Sequence, residues 1–121
     1  MSLLQDIIRV GITNIGGAVV KEDERYVVKD NKTLTDLTLS STVLNTECST
    51  TGHKHAGQEE IYFFVDGRGS MQVGKRTFTV KGGDIVLIPD GAFHRVRNLS
   101  DSRDGFIPLT FICVFNGGRE E

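Results

Sequence analysis

Glu60-Ile61-Tyr62-Phe63-Phe64-Val65-Asp66-Gly67-Arg68-Gly69-Ser70-Met71-Gln72-Val73-Gly74-Lys75-Arg76-Thr77-Phe78-Thr79-Val80 reads as three short β-strands in succession. Aromatic and β-branched residues fill Glu60 to Val65, Ser70 to Val73 and Arg76 to Val80, and turn residues separate the runs. Asp66-Gly67-Arg68-Gly69 ends the first strand, and Gly74-Lys75 is a two-residue hairpin signal with glycine in the first turn position. Working outward, Asp84 to Ile88 is an apolar run stopped by Pro89-Asp90-Gly91. A further strand runs from His94 to about Asn98, Leu99 to Gly105 is a polar surface loop, and Leu109 to Phe115 is a last apolar strand. Upstream, Thr33 to Leu44 is a threonine-rich strand with leucines at Leu37 and Leu39, and Leu3 to Ile8 has room for one short helical turn. So many strands in so short a chain predict an all-β protein closed into a barrel or jelly roll, which leaves no long unpaired edge.

The chain has 121 residues, enough for one domain with a real core, and neither repeats nor a linker divide it. Its net charge of -2 argues against a nucleic-acid partner, which needs a basic face. No apolar run approaches the roughly 20 residues of a membrane-spanning helix. Met1 to Val10 carries Asp6 and Arg9 and lacks a signal-peptide core, so a cytoplasmic location is expected. Cys48 and Cys113 have no metal-binding spacing and no CxxC partner, and are expected to be free, buried thiols.

All three histidines fall in two glycine-punctuated segments, Gly52-His53-Lys54-His55 and Gly83-Asp84-Ile85-Val86-Leu87-Ile88-Pro89-Asp90-Gly91-Ala92-Phe93-His94. On a strand, His53 and His55 would share a face and Lys54 would point away. Glu60 opens the next strand and can return a carboxylate, while His94 comes from a separate strand. Three nitrogens and one oxygen suit one divalent transition metal (Fe, Mn, Ni, Co or Zn) with positions left open, the layout of a reactive site. Glu59 competes with Glu60 for the carboxylate position, and if Glu59 were the ligand the inward set would become Ile61, Phe63 and Val65.

These segments resemble the two motifs of the cupin superfamily. The first, G(X)5HXH(X)3,4E(X)6G, is matched by His53, His55, Glu60 and Gly67, with Glu47 standing where its leading glycine belongs. The second, G(X)5PXG(X)2H(X)3N, is matched in full by Gly83, Pro89, Gly91, His94 and Asn98. The count of six residues from Glu60 to Gly67 favours Glu60 as the carboxylate. The resemblance implies a double-stranded β-helix, the RmlC-like jelly roll. It implies a single domain over 1–121, with its core at about 33–116 and an N-terminal segment 1–32 placed at a dimer interface. It also implies a metal on His53, His55, Glu60 and His94.

Alternation then predicts the surroundings. His94, Val96 and Asn98 face inward, and Arg95 and Arg97 outward. Tyr62, Phe64, Met71 and Val96 are the substrate-pocket candidates, and Val73, Phe78 and some of Phe93, Phe106, Phe111 or Cys113 join them in facing inward. Asn98 is expected to stabilise local backbone. The cavity is expected to be small and largely apolar, with no inward arginine or lysine, while Arg25, Arg68 and Arg76 have no assigned direction. Three-histidine, one-glutamate cupins include dioxygenases, oxalate-degrading enzymes and sugar-phosphate isomerases. The absence of inward cations tips the expectation towards dioxygenase-type chemistry on a small molecule over sugar-phosphate isomerisation. The alternative is a non-catalytic module that binds a metal and a small ligand. Thr35 to Thr42 is expected to expose a surface for packing against a second copy in a homodimer.

Overall fold

A computed structural model describes residues 8–117. Nine strands follow in order: β1 (Ala18–Glu22), β2 (Tyr26–Asn31), β3 (Leu37–Leu44), β4 (Glu60–Asp66), β5 (Arg68–Val73), β6 (Arg76–Lys81), β7 (Ile85–Ile88), β8 (His94–Asn98) and β9 (Leu109–Asn116). They form a six-stranded sheet in the order β1-β2-β3-β9-β4-β7 and a three-stranded sheet in the order β6-β5-β8. Every pairing is antiparallel. The result is the expected jelly roll, and no helix among the described residues is long and apolar enough to cross a membrane.

The corner between the sheets rests on one residue. Gly67 alone separates β4 of the large sheet from β5 of the small one, at φ 91°, where L side chains are strained. A Cβ there would also lie 2.6 Å from the Pro108 carbonyl oxygen. The glycine that ends the first motif is thus the hinge that lets Glu60 and Met71 face one interior from two sheets.

Strand alternation sets what that interior contains. Glu60, Tyr62 and Phe64 of β4 are buried, as are Leu109, Phe111, Cys113 and Phe115 of β9 and His94, Val96 and Asn98 of β8. Register aligns them in rows: Phe64 opposite Phe111 and Thr42, and Tyr62 opposite Cys113 and Ser40. The first row leads into an apolar core with Leu44, Met71, Val96 and Leu109. Phe111 stacks on Tyr62 at 5.1 Å and packs on Phe64 at 5.3 Å. Full burial of a side chain this size contributes about 1.5–3 kcal/mol.

Several expectations need correction. The strand expected from Thr33 starts only at Leu37, because the Asn31 side chain accepts from the Thr33 backbone and hydroxyl and holds the chain in a bend. The core does not begin at 33: β1 and β2 join the large sheet, and Tyr26 and Val28 lie in the core. β1 escaped notice because all five of its residues are exposed and show no inward–outward contrast. The helical turn at Leu3 to Ile8 falls outside the described residues except for Ile8. Phe78 does face inward opposite Met71, but on edge strand β6 it stays 36% exposed, and Phe106 is 73% exposed in the loop. The largest reversal is in β3. Thr38, Ser40 and Thr42 point inward and are buried, while Leu37 and Leu39 lie on the outer side. The threonine face is part of the barrel wall and presents nothing to a second copy.

Candidate metal centre

Glu60 opens β4 and His94 opens β8, both buried. Glu59 is exposed, so the buried carboxylate beside the histidines is that of Glu60. His53 lies on no long strand; it forms an isolated bridge with His94, whose N–H donates to the His53 carbonyl at 2.9 Å and whose carbonyl accepts from the His53 N–H at 3.2 Å. The preceding residues lock that bridge. A Cβ on Gly52 would sit 2.1 Å from the Phe93 ring, so only glycine leaves the room that Phe93 occupies beside the bridge. One donor atom each from His53, Glu60 and His94 lies within 4.8 Å of the others. Two ligands on one ion are at most about 4.2 Å apart, so the triangle needs to contract by roughly half an ångström to close on a metal.

Hydrogen bonds prepare both imidazoles. His94 Nδ1 lies 3.0 Å from the Ala92 carbonyl oxygen and His53 Nδ1 lies 3.3 Å from that of Thr51. A carbonyl can only accept, so each Nδ1 carries a proton, and in the neutral ring Nε2 keeps its lone pair. His94 Nε2 is buried without a hydrogen-bond partner, the one such side-chain atom among the described residues. It nevertheless stands 2.6 Å from Glu60 Oε2, an ion-pair contact that is not aligned as a hydrogen bond. Two acceptors pressed together need a cation between them, either a proton or a metal. Burial draws the His94 pKa down, but the Glu60 carboxylate and the Ala92 carbonyl outweigh it and leave the group above its ordinary value. Burial and the neighbouring His94 hold His53 below its ordinary value, against the pull of Glu60. The donor set and this orphaned nitrogen fit a divalent transition metal.

His55 stands apart from the triangle. Its ring centroid lies 4.8 Å from that of His53, but it sits in the loop after the bridge and not on a shared strand. That loop is tied to the turn before β8: the Gly91 N–H donates to the His55 carbonyl at 3.1 Å, and Gly57 N–H to the Asp90 carboxylate at 2.6 Å. Lys54 is exposed but does not point away from the site as expected on a strand, for it borders the same cavity as His53 and His55. Arg95 and Arg97 face solvent. Asn98 acts on backbone: its amide donates to the Leu44 and Ile107 carbonyls and its oxygen accepts from Ser100 N–H.

The cavity in front of the cluster has a volume of about 690 Å³. The small apolar pocket expected from sequence is therefore replaced by a roomy one with hydroxyls and charges in its wall. Tyr62 lines it, its ring edge-on to His94 at 5.8 Å, whereas Phe64, Met71 and Val96 belong to the packed core beneath. Ser40, Thr42 and Cys113 carry the wall across β3 and β9, the end of β1 brings Lys21, and the β1–β2 turn brings Asp23 and Arg25. Buried Cys113 and half-buried Cys48, the latter outside the cavity, form no disulfide. Arg25 braces the turn, donating to Thr51 Oγ1 at 2.7 Å and to the Tyr26 hydroxyl at 3.0 Å and pairing with Asp23 at 2.8 Å. Sequence reading missed this wall. The Thr38/Ser40/Thr42 spacing was its only trace.

Residues 41–115 match the family model described as a cupin domain. The chain is a cupin. It is 30% identical over 99 residues to an uncharacterized protein of Methanocaldococcus jannaschii, covering 73% of this chain and 75% of that protein. It is 27% identical over 60 residues to the oxalate-binding protein of Thermotoga maritima, half of each chain. Among solved structures, an RmlC-like cupin from Shewanella frigidimarina superposes with a TM-score of 0.71 at 13% identity, covering 86% of each chain. At that identity the likeness to the Shewanella cupin concerns the fold alone.

Proposed function

We propose that this cupin is a metalloenzyme for a small organic molecule, with one divalent transition metal held by His53, Glu60 and His94 and with His55 completing the set. The observation that carries this reading is the buried His94 Nε2, which has no hydrogen-bond partner and faces the Glu60 carboxylate. When bound, such an ion polarises a ligand oxygen and, as Fe, Mn or Ni, supports oxygen chemistry. The chain's own part is to present the Nε2 lone pairs of His53 and His94 by holding each Nδ1–H on a carbonyl. Tyr62, packed between His94 and Phe111, closes one side of the site.

Dioxygenase-type chemistry on a small molecule is the first reading. Sugar-phosphate isomerisation is the second, and a specific observation favours it: Lys21, Arg25 and Lys54 all border the cavity, supplying the cations that alternation alone does not place there. The test loads metal-free protein separately with Fe, Mn, Ni, Co and Zn and follows oxygen uptake and aldose–ketose interconversion over a panel of acids and sugar phosphates. Oxygen uptake with Fe, Mn or Ni supports the first reading, and interconversion without oxygen supports the second. Metal loading without turnover of any kind would leave a binding module.

The homodimer is proposed on a different surface from the threonine face. Leu39, Val114, Ile61 and Leu87 lie side by side in register across β3, β9, β4 and β7, on the outer side of the large sheet. Beside Leu39 the row runs into an apolar groove of about 270 Å³ that includes Ile8, Val10, Leu34 and Leu37. A flat apolar row crossing four strands is self-complementary under a two-fold axis, and a second copy would cover it.

A further inference from the structure

The segments that carry the four site residues are held in different ways. His53 and His94 fix each other through the paired backbone bonds of their bridge, and each ring sets its Nδ1 on a carbonyl two residues back, that of Thr51 for His53 and of Ala92 for His94. Glu60 is anchored in β4, between β7 and β9. His55 has no such frame. It belongs to the segment 54–59 between the bridge and β4, where no strand runs and Lys54, Ala56, Gly57 and Glu59 are exposed. A segment with so little buried surface opens locally at low cost, so its polar ties decide where it stays.

Two of those ties lead to a single turn. Residues 89–92 close it through the Ala92 N–H, which donates to the Pro89 carbonyl at 3.1 Å. From this turn the Gly91 N–H reaches the His55 carbonyl at 3.1 Å, and the Asp90 carboxylate accepts from the Gly57 N–H at 2.6 Å. An ionised acceptor makes the second bond roughly twice as strong as a neutral one. Gly57 turns the chain there at φ 81°, where a side chain would strain the backbone. Asp90 is exposed and enters no ion pair among the described residues, so neither burial nor charge pairing accounts for its place. The same turn also serves His94, since the Ala92 carbonyl faces its Nδ1 at 3.0 Å.

We propose that Asp90 is a positioning residue for His55. Its bond to the Gly57 N–H holds the segment 54–59 against the turn at 89–92 and keeps the His55 imidazole beside that of His53, available to the ion. One turn thus supports two histidines, His94 through a carbonyl and His55 through a carboxylate. This rests on the metal reading above and adds to it a residue that touches neither the metal cluster nor the cavity wall.

The test titrates metal-free protein with Co(II), reading affinity by competition with a chelating dye and the ligand set by the visible absorption of the bound ion. Asp90→Ala should weaken Co(II) binding about tenfold and give the spectrum of His55→Ala. Asp90→Asn, whose side-chain oxygen can still accept the Gly57 N–H, should bind as wild type does. Adding Asp90→Ala to His55→Ala should cost no further affinity, because the two act through one ligand. Circular dichroism checks that every variant is folded. Asp90→Ala with wild-type affinity and spectrum would overturn the proposal, as would an equal loss on the His55→Ala background or an Asp90→Asn variant as weak as Asp90→Ala. A His55→Ala variant that binds Co(II) as wild type does would also overturn it and leave a three-residue site. Wild type that takes up no Co(II) would instead overturn the metal reading itself.

Discussion

The two sheets treat solvent in opposite ways. On the small sheet the outward residues are Ser70, Gln72, Arg95 and Arg97, while Met71 and Val96 face in, the ordinary alternation of a sheet with one wet face. On the large sheet β3 inverts it: Thr38, Ser40 and Thr42 are buried, and Leu37 and Leu39 lie outside with Ile61, Ile85 and Leu87 on β4 and β7. Leu87 is 70% exposed and Ile85 58%, so this apolar face stays uncovered among the described residues. The difference separates roles. The small sheet covers the core, whereas the large sheet carries polar side chains inside and an apolar face outside.

The contrast is broken first at its shared support. Phe111→Ala should cost about 3–5 kcal/mol in urea denaturation, since the side chain anchors Tyr62 and Phe64 from the large sheet's inner face. A loss below about 1 kcal/mol would mean that this face is polar throughout, with no packed half. Next comes the outer face. Ile61→Asp should weaken self-association by about 2 kcal/mol or more in sedimentation, while Arg97→Ala on the small sheet should leave it unchanged. Equal effects from the two substitutions would erase the distinction between the sheets. Gly52→Ala, which drives a methyl into Phe93 at the seam beside the cluster, should destabilise by about 1–3 kcal/mol. Phe93→Leu should recover part of that loss, and a fully stable Gly52→Ala would deny that the contact holds the His53–His94 bridge.

Protons sharpen the account at the site itself. The raised His94 pKa means that a proton competes with metal already above the ordinary imidazole value of about 6.5, while the lowered His53 pKa keeps that group neutral there. Metal affinity should therefore begin to fall as pH drops from above that value. Affinity that stays flat from pH ~8 to ~6 would contradict the Glu60–His94 coupling. The smallest effect belongs to Lys54→Ala, which should change neither stability nor metal affinity by more than about 0.5 kcal/mol.

How much of this was legible depended on what period-two patterning can say. Strands from Glu60 onward are visible because aromatic and β-branched runs there are bounded by glycine and proline turns. β2 carries alternation, but it puts Asp30 inward beside Tyr26 and Val28 and so resembles a surface strand. In β3 the pattern shows that threonines share one face and leucines the other, but not which face is inside. Only pairing with β9 decides that, by setting Ser40 beside Cys113. His53, Glu60 and His94 are legible as a cluster because imidazoles are scarce in this chain and buried carboxylates are costly. His55 was placed by assuming a continuous strand, and the chain instead turns after His53 to reach Asp90 and Gly91. The cavity's cations come from β1, the β1–β2 turn and the histidine loop, three segments far apart in sequence that no local pattern brings together.

The account depends most on the cluster being a metal site, and elemental analysis of untagged protein tests that directly. Wild type, purified or reconstituted, should carry about one divalent transition metal per chain, and His94→Ala, with its fold verified by circular dichroism, should carry almost none. Wild type that remains metal-free after reconstitution, or a His94→Ala variant that retains the full equivalent, would contradict it.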